Sequence, residues 1–348
     1  MGYFNKISKF LREYFRILSP DIPEFLEEYI DTDEMQRIDG TSMNVGVQYS
    51  GLYKLVRDYS NLDHSVGVAL IVWHFTKDKK ATLAGLFHDI ATPTFKHCID
   101  FMNGDYETQE STEERTTDII KNSKKIMSLL ERDGIKLEEI NDYKLYPIAD
   151  NDHPKLSADR LEYNFSGGFS LIDLWTLEDI KKCYDNMFVS KNEDGIDEIV
   201  FRDLDVCEFY IEKLSKLWPW WICDKDRCIM QFIADTCKEM NENGYLSIND
   251  LYTYSEDYVI DLILNHSNKR ISNRFKQFMN IRTYYVTKDK LKNKYSVSIK
   301  SKKRYVNPLV YNKGRILDIS SPSKKRFDEF YNSTNFDNYV SINIKEED

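Results

Sequence analysis

The sequence predicts a mainly α-helical protein that ends in a small α+β region, and three observations lead to this. From Phe4 to about Asn280, apolar residues recur three and four positions apart with few Gly or Pro between them, which is helical periodicity. After about residue 280 the texture changes to short alternating stretches, TYYVT, YSVSIKS and RYVNPLVY, separated by turns containing Lys and Gly, as in a small antiparallel strand unit. The charge changes at nearly the same place. Residues 269–326 hold 18 Lys and Arg against 2 acidic residues, a net of +16, and because the whole chain carries −10 the remainder carries about −26.

Taken in order, MGYFNKISKFLREYFRIL places Phe4, Ile7, Phe10, Leu11, Phe15 and Leu18 at helical spacing rather than in a continuous export-signal core. LEEYI, SVGVALIVWHF, KKATLAGLFHD, EERTTDIIKNSKKIMSLLERDG and VCEFYIEKLSKLW continue the pattern. Gly134 is a natural helix stop, and Pro93 is expected to end the helix that carries His88. The expected division is a helical core over residues 1–185, a helical extension over 186–280, and a basic C-terminal region with short strands over 281–348.

At 348 residues, 41% hydrophobic and 30% charged, with 23 Tyr and 19 Phe, the chain has enough apolar material for a large core, and disorder is excluded. No apolar run approaches the roughly 18 to 20 residues of a membrane span. Gly2 does not make a myristoylation signal, because position 6 is Lys. The six cysteines lack paired metal-ligand spacing, Cys223 and Cys228 giving only a faint zinc hint, and they read as reduced thiols of a cytoplasmic protein.

Four of the six histidines, His64, His74, His88 and His97, fall within 34 residues. His64 opens one helical stretch; His88 and Asp89 close the next, across a short KDKK connection that makes the two antiparallel neighbours. The start of one helix then lies beside the end of the other. Adjacent helical residues diverge by about 100°, so His88 and Asp89 share one ion only if it lies between their directions. His64 adds a second imidazole. Asp159, in HPKLSADRLEYNF, sits among apolar residues where an unpaired carboxylate is costly to bury, so ligation would account for it. Two His and two carboxylates suit Mn, Fe, Mg, Ni or Zn. His74, ten positions after His64, points to another face and reads as a core or interface residue; His153 and His266 stand apart. Gly167 and Gly168 in NFSGGFS fit either an ordinary loop or a close backbone approach to a ligand.

The order His64, His88-Asp89, Asp159 resembles the H…HD…D signature of the HD-domain metal-dependent phosphohydrolases, nearest the branch of the dNTP triphosphohydrolases and SAM-and-HD-domain proteins. YIDTDEMQRIDG is similar to the segment before that branch's first ligand, LDHSVGVA to its first-ligand helix, LAGLFHDIATPTFKH to its HD segment and SADRLEY to its last-ligand helix. KKRYVNPLVYNKGRI is similar, less specifically, to a C-terminal segment of some bacterial members. The resemblance implies an all-helical HD-domain core, a divalent ion on His64, His88, Asp89 and Asp159 acting as a Lewis acid and activating water, and a tendency to form homo-oligomers. It also implies catalytic roles: His97 protonates a leaving oxygen, Asp100 orients His97, and Arg160 neutralises phosphate charge, with Tyr163 in the substrate pocket. Ordinary roles compete, Arg160 pairing with Glu162 or another carboxylate and Asp100 capping a turn.

Three positions depart from the branch. Asn61 stands where it has an arginine, Ala91-Thr92-Pro93 where it has Gly-His-Gly, and Gln109 where it has a histidine, so the pocket is poorer in positive charge than one built for a dNTP. These substitutions place Asn61, Thr92 and Gln109 among candidate substrate-binding residues and loosen the assignment of a substrate. The leading expectation is a metal-dependent phosphohydrolase of a nucleotide or another small phosphate ester. Two others stand beside it: a catalytically weak or inactive HD scaffold that binds a nucleotide, and a nucleic-acid or polyphosphate binder using basic residues 269–326.

Overall fold

The computed structural model describes residues 2–107, 109, 115–333 and 336–344. Helices dominate, with two small sheets drawn from residues 187–201 and from the C-terminal region, matching the mainly helical class with a small α+β region. Among the described residues no helix is long and apolar enough to cross a membrane.

The helix Asn61–Thr76 is the central post. Ser60 caps it by accepting from the Asp63 amide while the Asp63 side chain accepts from the Ser60 amide, satisfying donors at its start. From Asn61 to Val72 all but one residue are buried, so it is covered on every side. Lys77, in the left-handed region at φ 53°, ends it, and Asp78 caps the next helix, Lys79–Phe87, by accepting from the Lys80 and Ala81 amides. The two pack side by side, as expected. The second stops at Phe87 with His88 as its C-cap, earlier than the Pro93 stop expected, because the chain turns at once, Ile90 and Thr92 donating to the Phe87 and Asp89 carbonyls. Ala158–Leu171 lies against Asn61–Thr76, and His97–Met102 packs on the long helix Asp224–Glu242.

Two sheets are built largely from the C-terminal region. β1 (Met187–Lys191) and β2 (Asp197–Phe201) form an antiparallel hairpin, with Met187 opposite Phe201 and Lys191 opposite Asp197. β3 (Tyr284–Thr287) and β4 (Tyr295–Val297) flank β7 (Tyr339–Ile342), both antiparallel to it, as the alternating pattern predicts. β5 (Leu309–Val310) runs parallel to β2 through Phe201 and Val310 and antiparallel to β6 (Gly314–Arg315). The β1–β2 hairpin falls in a stretch expected to be helical. Its signal is legible in hindsight: MFVSK and DEIVF flank a turn around Gly195, whose φ is +75°.

Buried apolar side chains gather in two clusters. One runs from Tyr3 through Leu62, Phe87, Leu161 and Tyr210 and takes in Val306, Val310, Ile316 and Phe330. The other joins Val45, Phe95 and Phe101 to Phe232, Ile233, Phe275 and Tyr295 and is closed by Val340, Ile342 and Ile344.

Gly167 and Gly168 are not a loop; they lie inside Ala158–Leu171, with Gly167 lining the cavity described below. A Cβ at Gly168 would stand 2.3 Å from Cδ1 of the buried Trp175, whose Nε1–H donates to the Asn164 carbonyl at 3.0 Å. Gly168→Ala is therefore expected to destabilise the fold by about 1–3 kcal/mol, the usual cost of overpacking, as read by the denaturation midpoint.

Candidate metal and phosphate site

His64, in the first turns of Asn61–Thr76, and His88, at the end of Lys79–Phe87, bring their Nε2 atoms within 3.1 Å of each other. Ser157 caps Ala158–Leu171 and so sets Asp159 in its first turn, with Oδ1 3.1 Å from His64 Nε2 and 3.7 Å from His88 Nε2. Asp89 Oδ2 lies 3.8 and 3.5 Å from the same two nitrogens. Ligands about 2.1 Å from a common ion stand roughly 3.0 to 3.4 Å apart, so the four expected residues converge at nearly ligating separations.

The far sides of both imidazoles fix their tautomers. His64 Nδ1 is 2.5 Å from Glu162 Oε2, and His88 Nδ1 is 2.8 Å from the Gly85 carbonyl. Carboxylate and carbonyl oxygens only accept, so each Nδ1 carries the hydrogen and each Nε2 turns a lone pair to the centre. Two lone pairs 3.1 Å apart between carboxylates call for a cation. This donor set fits a divalent ion. Short of one, a proton serves: burial disfavours charge on His64, but Asp159 and Glu162 outweigh it and push its pKa up to about 9. Burial likewise opposes ionisation of Asp89, yet Lys96, His88 and His64 hold that carboxyl well below the usual range. Asp159 is held low in the same sense, by the hydrogen bond from His64 and the charges of His88 and His64.

Glu162 was expected at most as a partner for Arg160. Instead it is fully buried behind His64, also accepting from Tyr14 at 2.9 Å, Tyr59 at 2.5 Å and Ser166 at 3.0 Å. A Cβ on Gly67 would come within 3.0 Å of this carboxylate, which is why glycine sits there in mid-helix.

The four residues line one end of a cavity of about 500 Å³. His97 and Arg304 form a second part of it. His97 Nδ1 is 2.9 Å from the buried Asp100, as expected of an orienting carboxylate, and its Nε2 is 3.1 Å from Arg304 Nη2. Arg304 also donates to Gln109 Oε1 at 2.5 Å. Burial, reinforced by Arg304 and Lys96 against the pull of Asp100, brings the His97 pKa down to about 4. Lys302, Lys303 and Lys96 line the same cavity, the Lys96 ammonium bonding to Asp89 Oδ2 at 2.5 Å.

Three expected pocket residues lie elsewhere or are otherwise engaged. Arg160 lines the cavity, but its guanidinium is committed to Asp150 at 2.9 Å, the Lys155 carbonyl at 2.6 Å and Asn151, buckling the 150–155 loop onto its own helix. Asn61 is buried outside the cavity, its Nδ2 donating to Thr41 at 2.9 Å, because it occupies the capped first turn. Thr92 is buried in the turn after Asp89, also outside the cavity. Gln109 and Tyr163 do line it. Sequence reasoning overlooked Lys96, Arg304, His153 and Glu162. The basic run KKR at 302–304 was the available signal for Arg304, and the i, i+3 spacing of Asp159 and Glu162 for the latter. His74 packs against Phe75 and Tyr184, as a non-ligand should.

Not all of the basic block serves the cavity. Arg270 and Arg274 pair with Glu239, Arg315 with Glu193 and Glu198, and Lys324 with Asp328.

The HD domain family matches residues 61–165, the span that runs from the first-ligand helix to just beyond Glu162. That match covers under a third of the chain. The matched span thus contains all four converging side chains, while Arg304, which joins the same cavity through His97 and Gln109, lies outside it. The chain is 26% identical over 168 residues to the metal-dependent phosphohydrolase cns2 of Cordyceps militaris, covering 47% of this chain and 45% of that one. It is 25% identical over 195 residues to YdhJ of Bacillus subtilis, covering 55% and 57%. The chain thus spans about half the length of these relatives. Among solved structures, a protein from Aquifex aeolicus aligns with a TM-score of 0.65 at 16% identity, over 93% of both chains. A phosphohydrolase from Bacteroides thetaiotaomicron aligns at 0.61 and 12% identity, over 94% of this chain and 97% of that one. These two extend the shared fold well beyond the HD domain.

Two outcomes are expected here. Glu162→Gln weakens metal binding by about 10- to 100-fold in a competition titration with a chromophoric chelator, since the amide no longer enforces the His64 tautomer. For acid stability, His97 and His153 both have folded pKa values near 4, driven chiefly by burial, against about 6.5 unfolded. Between these values the unfolded chain binds more protons, so stability falls as pH drops from 6.5 towards 4. His97→Gln makes the melting temperature less dependent on pH across that window.

Proposed function

We propose that this chain is a metal-dependent phosphohydrolase of the HD superfamily, acting on a nucleotide of the dNTP or NTP kind or a closely related phosphate ester. The observation that carries the reading is that the His64, His88, Asp89 and Asp159 quartet shares one cavity with Arg304, Lys302, Lys303 and an aromatic wall that includes Tyr163 and Trp221. Its volume, about 500 Å³, suits a ligand of nucleotide size.

His64, His88, Asp89 and Asp159 would hold a divalent ion, which would supply Lewis acidity for phosphate-ester hydrolysis. The side chains do the rest. Arg304 offers a planar fork of donors to phosphate oxygens, and Lys302 and Lys303 add positive charge along the same wall. In the free protein His97 is a neutral base whose Nε2 faces Arg304. A phosphate drawing on the Arg304 donors raises the proton affinity of His97, so that Nε2 takes up a proton from solvent and then hands it to the leaving oxygen, while Asp100 keeps Nδ1–H in place.

A nucleotide-binding module with little turnover is the second reading. Gln109 on Arg304 and Lys96 on Asp89 favour it, since both occupy groups that the reaction needs.

The test is metal content by mass spectrometry together with product analysis on dNTPs, NTPs and nucleoside monophosphates, for the wild type and Asp89→Ala. Bound metal with turnover that Asp89→Ala abolishes supports the enzyme; metal without turnover on any substrate supports the binding module; no metal overturns both. Arg304→Gln is expected to lower kcat/KM by about 100-fold, the scale of losing one donor to developing charge. Arg160→Gln is expected to act mainly by lowering the melting temperature, through release of the 150–155 loop.

A further inference from the structure

One wall of the cavity has no part in the phosphate chemistry. The segment Trp220–Trp221 leads into the helix Asp224–Glu242, and Asp226, in its first turn, lines the cavity with Tyr53 and both tryptophans. Asp226 Oδ1 accepts from the Tyr53 hydroxyl at 2.7 Å, and among the described residues no ion pair reaches this carboxylate. Lys225 does not turn to it; its ammonium lies over the Tyr53 and Trp220 rings at 4.1 and 4.5 Å. Tyr163 packs edge-on against Trp221 at 5.4 Å, extending the aromatic surface towards Asp159, four residues before it on the same helix. The site is therefore a cavity-facing carboxylate set among aromatic rings, in the same cavity as the phosphate-binding charges.

A carboxylate in such a wall that draws on one hydroxyl and no cation keeps lone pairs for a ligand's donors, and flat rings beside it favour a flat, π-bearing ligand. Aromatic amino groups meet both demands, and carboxylates accept from the amino groups of bases. We propose that Asp226 is a specificity-determining residue that accepts a hydrogen bond from the exocyclic amino group of a purine base lying against Trp220 and Trp221. Burial raises the Asp226 carboxyl to about 7 against the lowering pull of the Tyr53 hydrogen bond, in keeping with a carboxyl that no cation pairs among the described residues. The inference rests on the nucleotide reading of the same cavity and narrows it to amino-bearing purines.

The experiment measures dissociation constants by calorimetry for two pairs of nucleoside monophosphates that differ only in the amino group: GMP against IMP, and AMP against purine riboside monophosphate. Metal-loaded wild type and Asp226→Ala are compared, with unfolding midpoints as a check on folding. In the wild type at least one amino-bearing nucleotide is expected to bind about tenfold or more tightly than its counterpart, because without the amino group a desolvated carboxylate loses a donor that Tyr53 alone does not replace. In Asp226→Ala the difference shrinks to about twofold or less. Tyr53→Phe, which keeps the carboxylate, retains the discrimination and serves as the second variant if Asp226→Ala does not fold. Equal binding within both pairs in the wild type, or discrimination that survives Asp226→Ala, overturns the proposal and leaves the nucleotide reading standing. If no nucleotide binds while p-nitrophenyl phosphate is hydrolysed, the nucleotide reading is overturned and this proposal with it.

Discussion

The hydrogen bond from His64 to Glu162 is the interaction on which the site depends. It joins the central helix to the last-ligand helix, fixes which His64 nitrogen carries the hydrogen, and turns the other towards His88, Asp89 and Asp159. A fully buried carboxylate is expensive unless its lone pairs are used, and here Tyr14, Tyr59, Ser166 and His64 use them. Tyr14 comes from the helix Lys9–Leu18, so the N-terminal helices are bound into the same network. The lack of a side chain at Gly67 leaves room for the carboxylate. Glycine in mid-helix carries a conformational cost, which close approach explains.

The second constraint is charge. The quartet places two carboxylates around two imidazoles, and the cavity answers with Lys96 from the segment after Asp89 and with Lys302, Lys303 and Arg304 from far along the chain. The C-terminal region therefore does more than close the fold: β5 pairs with the β1–β2 hairpin, β7 sits between β3 and β4, and residues 302–304 between β4 and β5 line the cavity with positive charge. Arg315 helps to hold that arrangement through Glu193 and the buried Glu198.

Much of this was legible in the sequence, and the limits have physical causes. The convergence of His64, His88, Asp89 and Asp159 could be read from order and helical spacing, because each lies at a helix end set by local caps. Asp100 behind His97 was legible for the same reason, an i, i+3 contact within one turn. Arg160 misled because residue type does not reveal how a guanidinium's donors are spent, and a loop five to ten residues upstream takes them. Asn61 and Thr92 align with pocket positions of the resembled branch, yet the cap and turn around them point their side chains elsewhere. Arg304 was hidden by sequence distance: some 207 residues separate it from His97, and only tertiary packing joins them. The β1–β2 hairpin was lost to its helical surroundings, though its alternation and Gly195 turn were present.

The central claim is that His64, oriented by Glu162, forms one metal centre with His88, Asp89 and Asp159. Anomalous diffraction from crystals of the manganese-loaded protein tests it most directly. The account predicts a single strong peak within bonding distance of His64 Nε2, His88 Nε2 and a carboxylate oxygen from each of Asp89 and Asp159, with the His64–Glu162 hydrogen bond intact and the Lys96 ammonium withdrawn from Asp89. A peak elsewhere, or none at this centre under saturating manganese, would contradict it.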